Sequence, residues 1–313
     1  MPQLVIPALV EPVVRGLWGA MDVDGGPTEE QVDLLRALST HVWGRPDLDP
    51  AAVVPLSAAE VARAIGGTDA VRRFHYLLVV LELCRHPFTA GQQARVEEYA
   101  SALSLDGMGL EFCRDLAVRG MEAARADHER FEVNLRTDQQ EPQLRTHEQR
   151  ADGTDPELVE MILTMEQLPE GTLGRSLTHF YAEFGLNIPG ASSSDLNYAF
   201  VAHDMNHVIA GYNPVAEGEL ALGAFQMGMN DSEVSWLLCL SNLAIHEAGV
   251  IQIGDIAPKS ATLGRPGVAD SFAHALARGS QCTADFATAD HLAMIELPLD
   301  EVRARFGVPP LKN

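Results

Sequence analysis

The sequence predicts an all-α protein built as two helical domains, and three observations lead there. Apolar residues recur three or four positions apart over most of the chain, as at Val32, Leu35, Leu38 and Val42, the period of a helix that buries one face. Strand-like alternation is scarce. A polar stretch, NLRTDQQEPQLRTHEQRADGTD over 134–155, separates two helix-rich regions and reads as a linker.

Residues 1–27 read as an N-terminal extension, apolar but interrupted by Pro2, Pro7, Pro12 and Arg15. A helical bundle is expected over 28–133. Its first helix covers 29–43. The second starts at Ser57, where Glu60 three residues on completes a capping box. VRRFHYLLVVLELCRH forms the third and Pro87 closes it. Thr89 opens the next, and FCRDLAVRGMEAARADHER over 112–130 the last. Beyond the linker, 156–313 reads as a second helical domain. Its helices cover PELVEMILTMEQL and EGTLGRSLTHFYAEFGL, then NYAFVAHDMNHVIA after a Pro-Gly-Ser break, capped by Ser194 or Asp195. Gly211 and Pro214 break that helix, and another starts near Glu217. Helices over 231–246, 268–278 and PLDEVRARFG complete the domain.

A net charge of −22, with Lys259 and Lys312 as the only lysines, argues against nucleic acid as a partner, since phosphate contacts need clustered cations. Cys84, Cys113, Cys239 and Cys282 form no CxxC pair and read as free thiols of a reducing compartment. No apolar run approaches the roughly 18 residues of a membrane span, and the N-terminus lacks a basic start and a small-residue cleavage site. The expected location is the cytoplasm, with at most peripheral membrane attachment.

The stretch HDMNHVIAGYNPVAEGE over 203–219 carries chemistry. His203 and His207 are four apart, so on a helix both rings project from one face. Asp204 is turned by about 100° and could ligate or orient a ligand histidine. The Gly211/Pro214 break lets the chain reverse, so Glu219 on the next helix can face the pair. Two imidazoles with one or two carboxylates suit Zn²⁺ or Fe²⁺ and leave positions open. An ordinary polar helix end is written with the same letters, and spacing alone leaves both readings standing.

The stretch resembles the coenzyme Q biosynthesis protein 4 family, whose signature is H-D-x-x-H, eleven residues, then E. Here that is His203, Asp204, His207 and Glu219, with Gly211 and Gly218 in matching places. LPEGTLGRSL over 168–177 and GSQCTADFATADHLAMIELPLDEVRARFGVPP near the end are similar to flanking family segments. Asp290-His291 stands where many members have an Asp-Trp pair. The resemblance covers about 156–311; the N-terminal bundle lies outside it and resembles, by pattern, tellurite-resistance TerB-like domains in LCRHPFTAGQQARVEEYASALSLD.

The resemblance implies a metal site on the helix–break–helix hairpin, with His203, His207, Glu219 and Asp204 as ligands of a divalent ion, Zn or Fe. Asp204 and Glu219 would also serve catalysis. The implied reaction is an oxidative decarboxylation of a prenylated 4-hydroxybenzoate-type intermediate in ubiquinone or related metabolism, with quinone-biosynthesis enzymes as partners and self-association open. The alternatives are a non-catalytic scaffold that binds prenyl lipid, and an HD-type phosphohydrolase that would recruit His179 and Asp231. A zinc protease is disfavoured because Asp204, not Glu, follows the first histidine.

Arg175 is a candidate for an anionic head group, set against a plain salt bridge. His179 and Tyr181 lie in a segment that the resemblance places near the site and are candidate substrate contacts, set against helix packing; Tyr198, which matches an aromatic common in the family, is a further candidate contact, set against core packing. The apolar residues of LALGAFQMGM and VSWLLCLSNL could line an isoprenoid groove, though simple core is the favoured reading. His246-Glu247 could supply a second ligand set, but a hydrogen-bonded interior histidine is the favoured reading, and His274 and His291 read as structural or exposed.

Overall fold

The computed structural model describes residues 5–105, 140–145, 152–194, 196–252 and 256–311. Among these the fold is all-α, with twelve α-helices, no strand and two isolated bridge pairs. The helix expected over 112–130 and most of the 134–155 linker lie outside the described residues. No described helix is long and apolar enough to cross a membrane.

Two compact units emerge, and neither is continuous in sequence. One comprises residues 1–128 and 219–280, the other 129–218 and 281–313. This differs from the division at 134–155 read from the sequence, because residues 219–280 pack with the N-terminal region.

In the first unit, α1 (Pro7–Met21) occupies the segment read as an extension. Pro7 stands in the first turn, where a missing N–H costs nothing, and Pro12 does not end the helix. Its buried face runs through Val10, Val13, Val14, Leu17 and Met21. α2 (Glu29–Ala37) is capped by Thr28 and Gln31 and continues into a π-helical turn to Val42. α3 (Ala58–Ile65) has the expected capping box, with Ser57 N–H donating to Glu60 Oε2 at 2.8 Å. α4 (Ala70–Leu83) is apolar nearly all round and correspondingly buried. α5 (Ala90–Ala102) is capped by Thr89, whose hydroxyl accepts from Gln92 N–H at 3.1 Å.

The same unit holds α10 (Glu233–His246) and α11 (Val268–Gly279). Trp236 of α10 stacks on Tyr76 of α4 at 4.4 Å between ring centroids. Asp231, just before α10, accepts from Arg72, Arg73 and the Trp236 indole, tying the two helices together. Cys84 and Cys239 are buried and form no disulfide, and burial pushes the Cys84 thiol well above its ordinary range.

The second unit contains α6 (Pro156–Thr164), α7 (Leu173–Phe184), α8 (Asn197–Ala210) and α12 (Leu299–Phe306). Asp155 caps α6 by accepting from Leu158 N–H at 3.0 Å. The first-turn N–H groups of α7 find partners outside the helix: Leu173 and Gly174 donate to the carbonyls of Leu297 and Ile295, both at 2.9 Å. Thus the GTLGRSL segment and the C-terminal segment, far apart in sequence, meet directly. α9 (Ala216–Met229) follows α8, and the division between the units falls inside it, between Gly218 and Glu219.

Candidate metal centre

α8 ends at Gly211, whose φ of 84° is a left-handed conformation that glycine adopts without a Cβ clash. The Gly211 N–H donates to the His207 carbonyl at 2.7 Å. Five residues later α9 begins, which places Glu219 in its first turn. Gly218 precedes it for a steric reason: a Cβ there would overlap the Asn213 carbonyl, so the chain turns this tightly only with glycine. The last carbonyls of α8 are covered by Arg303 of α12, which donates to Ile209 O at 3.0 Å and Val208 O at 3.1 Å. A guanidinium at a helix C-terminus also opposes the negative end of the helix dipole.

On this hairpin, one ligand atom from each of His203, His207 and Glu219 lies within 4.8 Å of the other two. His207 is 1 % exposed, and His203 and Glu219 are half-buried. The His207 Nδ1 is 3.0 Å from the Tyr212 carbonyl oxygen. A carbonyl only accepts, so the proton sits on Nδ1 and the Nε2 lone pair faces His203. The two Nε2 atoms are 3.1 Å apart. Two imidazoles on one tetrahedral Zn²⁺, at Zn–N of about 2.0–2.1 Å, hold their nitrogens about 3.3 Å apart. The donor types suit one divalent ion, and the spacing of the two imidazole nitrogens is close to that of a shared one.

Asp204 stands outside that trio. Its carboxylate is 9 % exposed and accepts a hydrogen bond from the Tyr181 hydroxyl at 2.9 Å. Burial, and then the neighbouring carboxylate, push the Tyr181 phenol well above its ordinary range, so it stays a donor. Phe180, next to Tyr181 on α7, lies against the His207 ring with centroids 5.7 Å apart and planes inclined by 27°.

The candidate substrate residues have partners of their own. Arg175 pairs with Glu170 at 3.2 Å and Glu166 at 3.8 Å. His179 is 54 % exposed and 3.9 Å from the same Glu170. Tyr198 donates its hydroxyl to Asp155 at 2.8 Å, and its phenol is pushed up to about 12 by desolvation and by that carboxylate. Asp231 is committed to Arg72, Arg73 and Trp236, and neither it nor His179 belongs to the ligand trio. Leu220, Leu222, Phe225 and Met227 of α9 are fully buried core, as are Trp236, Leu240 and Leu243 of α10.

The Glu247 carboxylate is buried between His86 Nε2 at 2.9 Å and Leu263 N–H at 2.6 Å. The His246 carbonyl accepts from the Thr262 hydroxyl. His274 lies edge-on to His41, which pairs with Asp270 at 2.9 Å.

Sequence reasoning missed how His291 is used. It is fully buried, with Nδ1 2.9 Å from Glu141 Oε2 and Nε2 3.0 Å from Asn206 Oδ1. Asn206 Nδ2 donates to the Ala287 carbonyl at 3.1 Å, which leaves its oxygen toward His291. Both ring nitrogens thus face side-chain oxygens, one of them on a buried carboxylate. Glu141 also accepts from Leu292 N–H, and its own N–H donates to the Tyr198 carbonyl. The network grips α8 one residue before His207. The signal in sequence was slight: an Asn inside the H-x-x-x-H spacing and an acid stranded in a polar linker.

No family model matches the chain, and no curated protein does. Among solved structures, it is similar to a crystal structure named as a "Putative ubiquinone biosynthesis protein" from Nostoc punctiforme. The identity is 18%, the TM-score 0.34, and the match covers 75% of this chain and 98% of that one.

Proposed function

We propose that this chain binds one divalent metal ion, Zn or Fe, through His203, His207 and Glu219, and acts on a prenylated aromatic small molecule. The observation that carries the metal reading is the convergence of the two Nε2 atoms at 3.1 Å, with Tyr212 fixing the His207 tautomer. The reaction reading is supported by the H-D-x-x-H, eleven residues, E signature and its flanking segments. In that reaction the bond from ring to carboxyl carbon breaks with loss of CO₂, and a ring carbon–oxygen bond forms. Two electrons pass to an oxidant, for which dioxygen is the natural class.

When bound, the ion supplies Lewis acidity toward a phenol or carboxylate and, as iron, a means of engaging dioxygen. The chain does the rest. His203 and His207 present imidazole nitrogens, and Glu219 supplies a negative charge that offsets part of the charge of a divalent ion. Asp204, at the edge of the trio and tied to Tyr181, takes and returns a proton. Arg175 and His179 share Glu170 as a surface partner, which an anionic head group would displace.

The test is Glu219→Ala, with product formation and co-purifying lipids both followed by mass spectrometry. Loss of product with retained fold and retained prenyl-lipid binding is expected. Turnover undiminished in the variant would overturn the catalytic reading. Lipid binding by a wild-type protein that never turns over would leave the scaffold.

A further inference from the structure

Asp204 is the only acidic residue of α8, and its carboxylate is held from outside the helix. Tyr181 is 4 % exposed, lies on the neighbouring helix α7, and spends its hydroxyl on Asp204 at 2.9 Å. The adjacent Phe180 covers the imidazole of His207. One turn of α7 therefore touches two polar members of the signature at once, the carboxylate through a hydrogen bond and the imidazole through a ring face.

We propose that Tyr181 is a positioning residue of the metal centre, acting through Asp204. Its hydroxyl takes up one carboxylate oxygen and fixes the carboxyl plane, so that the remaining oxygen keeps a set orientation toward the ion or the substrate proton. Without the hydroxyl, the Asp204 side chain turns about its own bonds, and its charge no longer acts on the site from one place. Partners of this kind, one shell away from an ion, typically change metal affinity by about 10- to 100-fold when removed. The inference rests on the metal reading proposed above and adds to it a residue outside the family signature.

The experiment is a double-mutant cycle on the full chain, with Co²⁺ as the probe. Affinity is read by chelator competition, and coordination by the visible absorption of the bound ion. Tyr181→Phe keeps the ring and its packing and removes only the oxygen, so the fold is expected to survive. It should weaken Co²⁺ binding by about 10-fold or more and alter the visible bands. In an Asp204→Ala background the same change should have almost no further effect, because the route through Asp204 is gone. An equal loss in both backgrounds with an unchanged spectrum would mean that the hydroxyl acts by a route other than Asp204, and that result would overturn the proposal. An unaltered affinity and spectrum for Tyr181→Phe would overturn it as well, while leaving the metal site standing. A wild-type chain that binds no Co²⁺ would remove the metal reading itself, and this inference with it.

Discussion

His207 donates from Nδ1 to the carbonyl of Tyr212, five residues ahead, at 3.0 Å. The bond crosses the break between α8 and α9, so one interaction both shapes the turn and aims the other ring nitrogen at His203. Because the acceptor is a backbone atom, no side-chain substitution at Tyr212 deletes it. The imidazole is the part that can be tested. His207→Gln keeps polarity but loses the aromatic nitrogen at the ligand position, and it should weaken metal binding by more than about 100-fold, beyond the range for an outer partner. Isothermal titration of the metal-free protein checks this, with circular dichroism to show that helix is retained.

Gly218 tests whether the tightness of the turn matters. Gly218→Ala forces the first turn of α9 away from the Asn213 carbonyl, and Glu219 moves with it. The variant should lose metal affinity and about 1–3 kcal/mol of stability, the usual cost of overpacking a close contact. Denaturant unfolding monitored alongside metal titration separates the two effects.

The buried Glu141–His291 pair predicts a large stability effect without direct contact with the ion. Removing the carboxylate leaves the buried groups that it holds, the His291 ring and the Leu292 N–H, without their partner, at a typical cost of about 1–3 kcal/mol. Glu141→Leu is expected to fall in that range by denaturant unfolding. Replacing both partners by apolar residues should recover part of the loss.

Two phenols give a pH signature at the alkaline end. Tyr198, beside Asp155, and Tyr99, buried against the Leu56 carbonyl, are both pushed up to about 12. In the unfolded chain a tyrosine ionises near 10. The folded state then binds more protons between those values, so the stability these groups contribute is complete below about pH 10 and lost as pH rises toward 12. Absorbance titration at 295 nm should show a late-ionising class that shrinks by one group in Tyr198→Phe and by one in Tyr99→Phe.

The parts of this account legible in sequence were local. The helical period, the caps at Ser57 and Thr89, the break at Gly211 and the spacing of His203, His207 and Glu219 all lie within short spans of chain. The remainder depended on partners distant in sequence. Arg303 reaches the end of α8 from almost a hundred residues away, Glu141 and His291 meet across half the chain, and Tyr181 finds Asp204 across a helix interface. The N-terminal apolar segment was read only as an extension, and its helix α1 follows from burial of Val13, Val14 and Leu17. The linker at 134–155 marked a change in composition, while the compact units follow packing, which returns 219–280 to the N-terminal region.

The most direct test is the metal content of the purified chain after reconstitution with Zn²⁺ or Fe²⁺ and removal of loosely bound ion. Elemental analysis should find about one ion per chain, as expected of a single site with three protein ligands. The ion should be lost in His203→Ala, His207→Ala and Glu219→Ala, and kept in His274→Ala. A wild-type chain that retains no ion, or one whose ion survives all three ligand substitutions, would contradict the account.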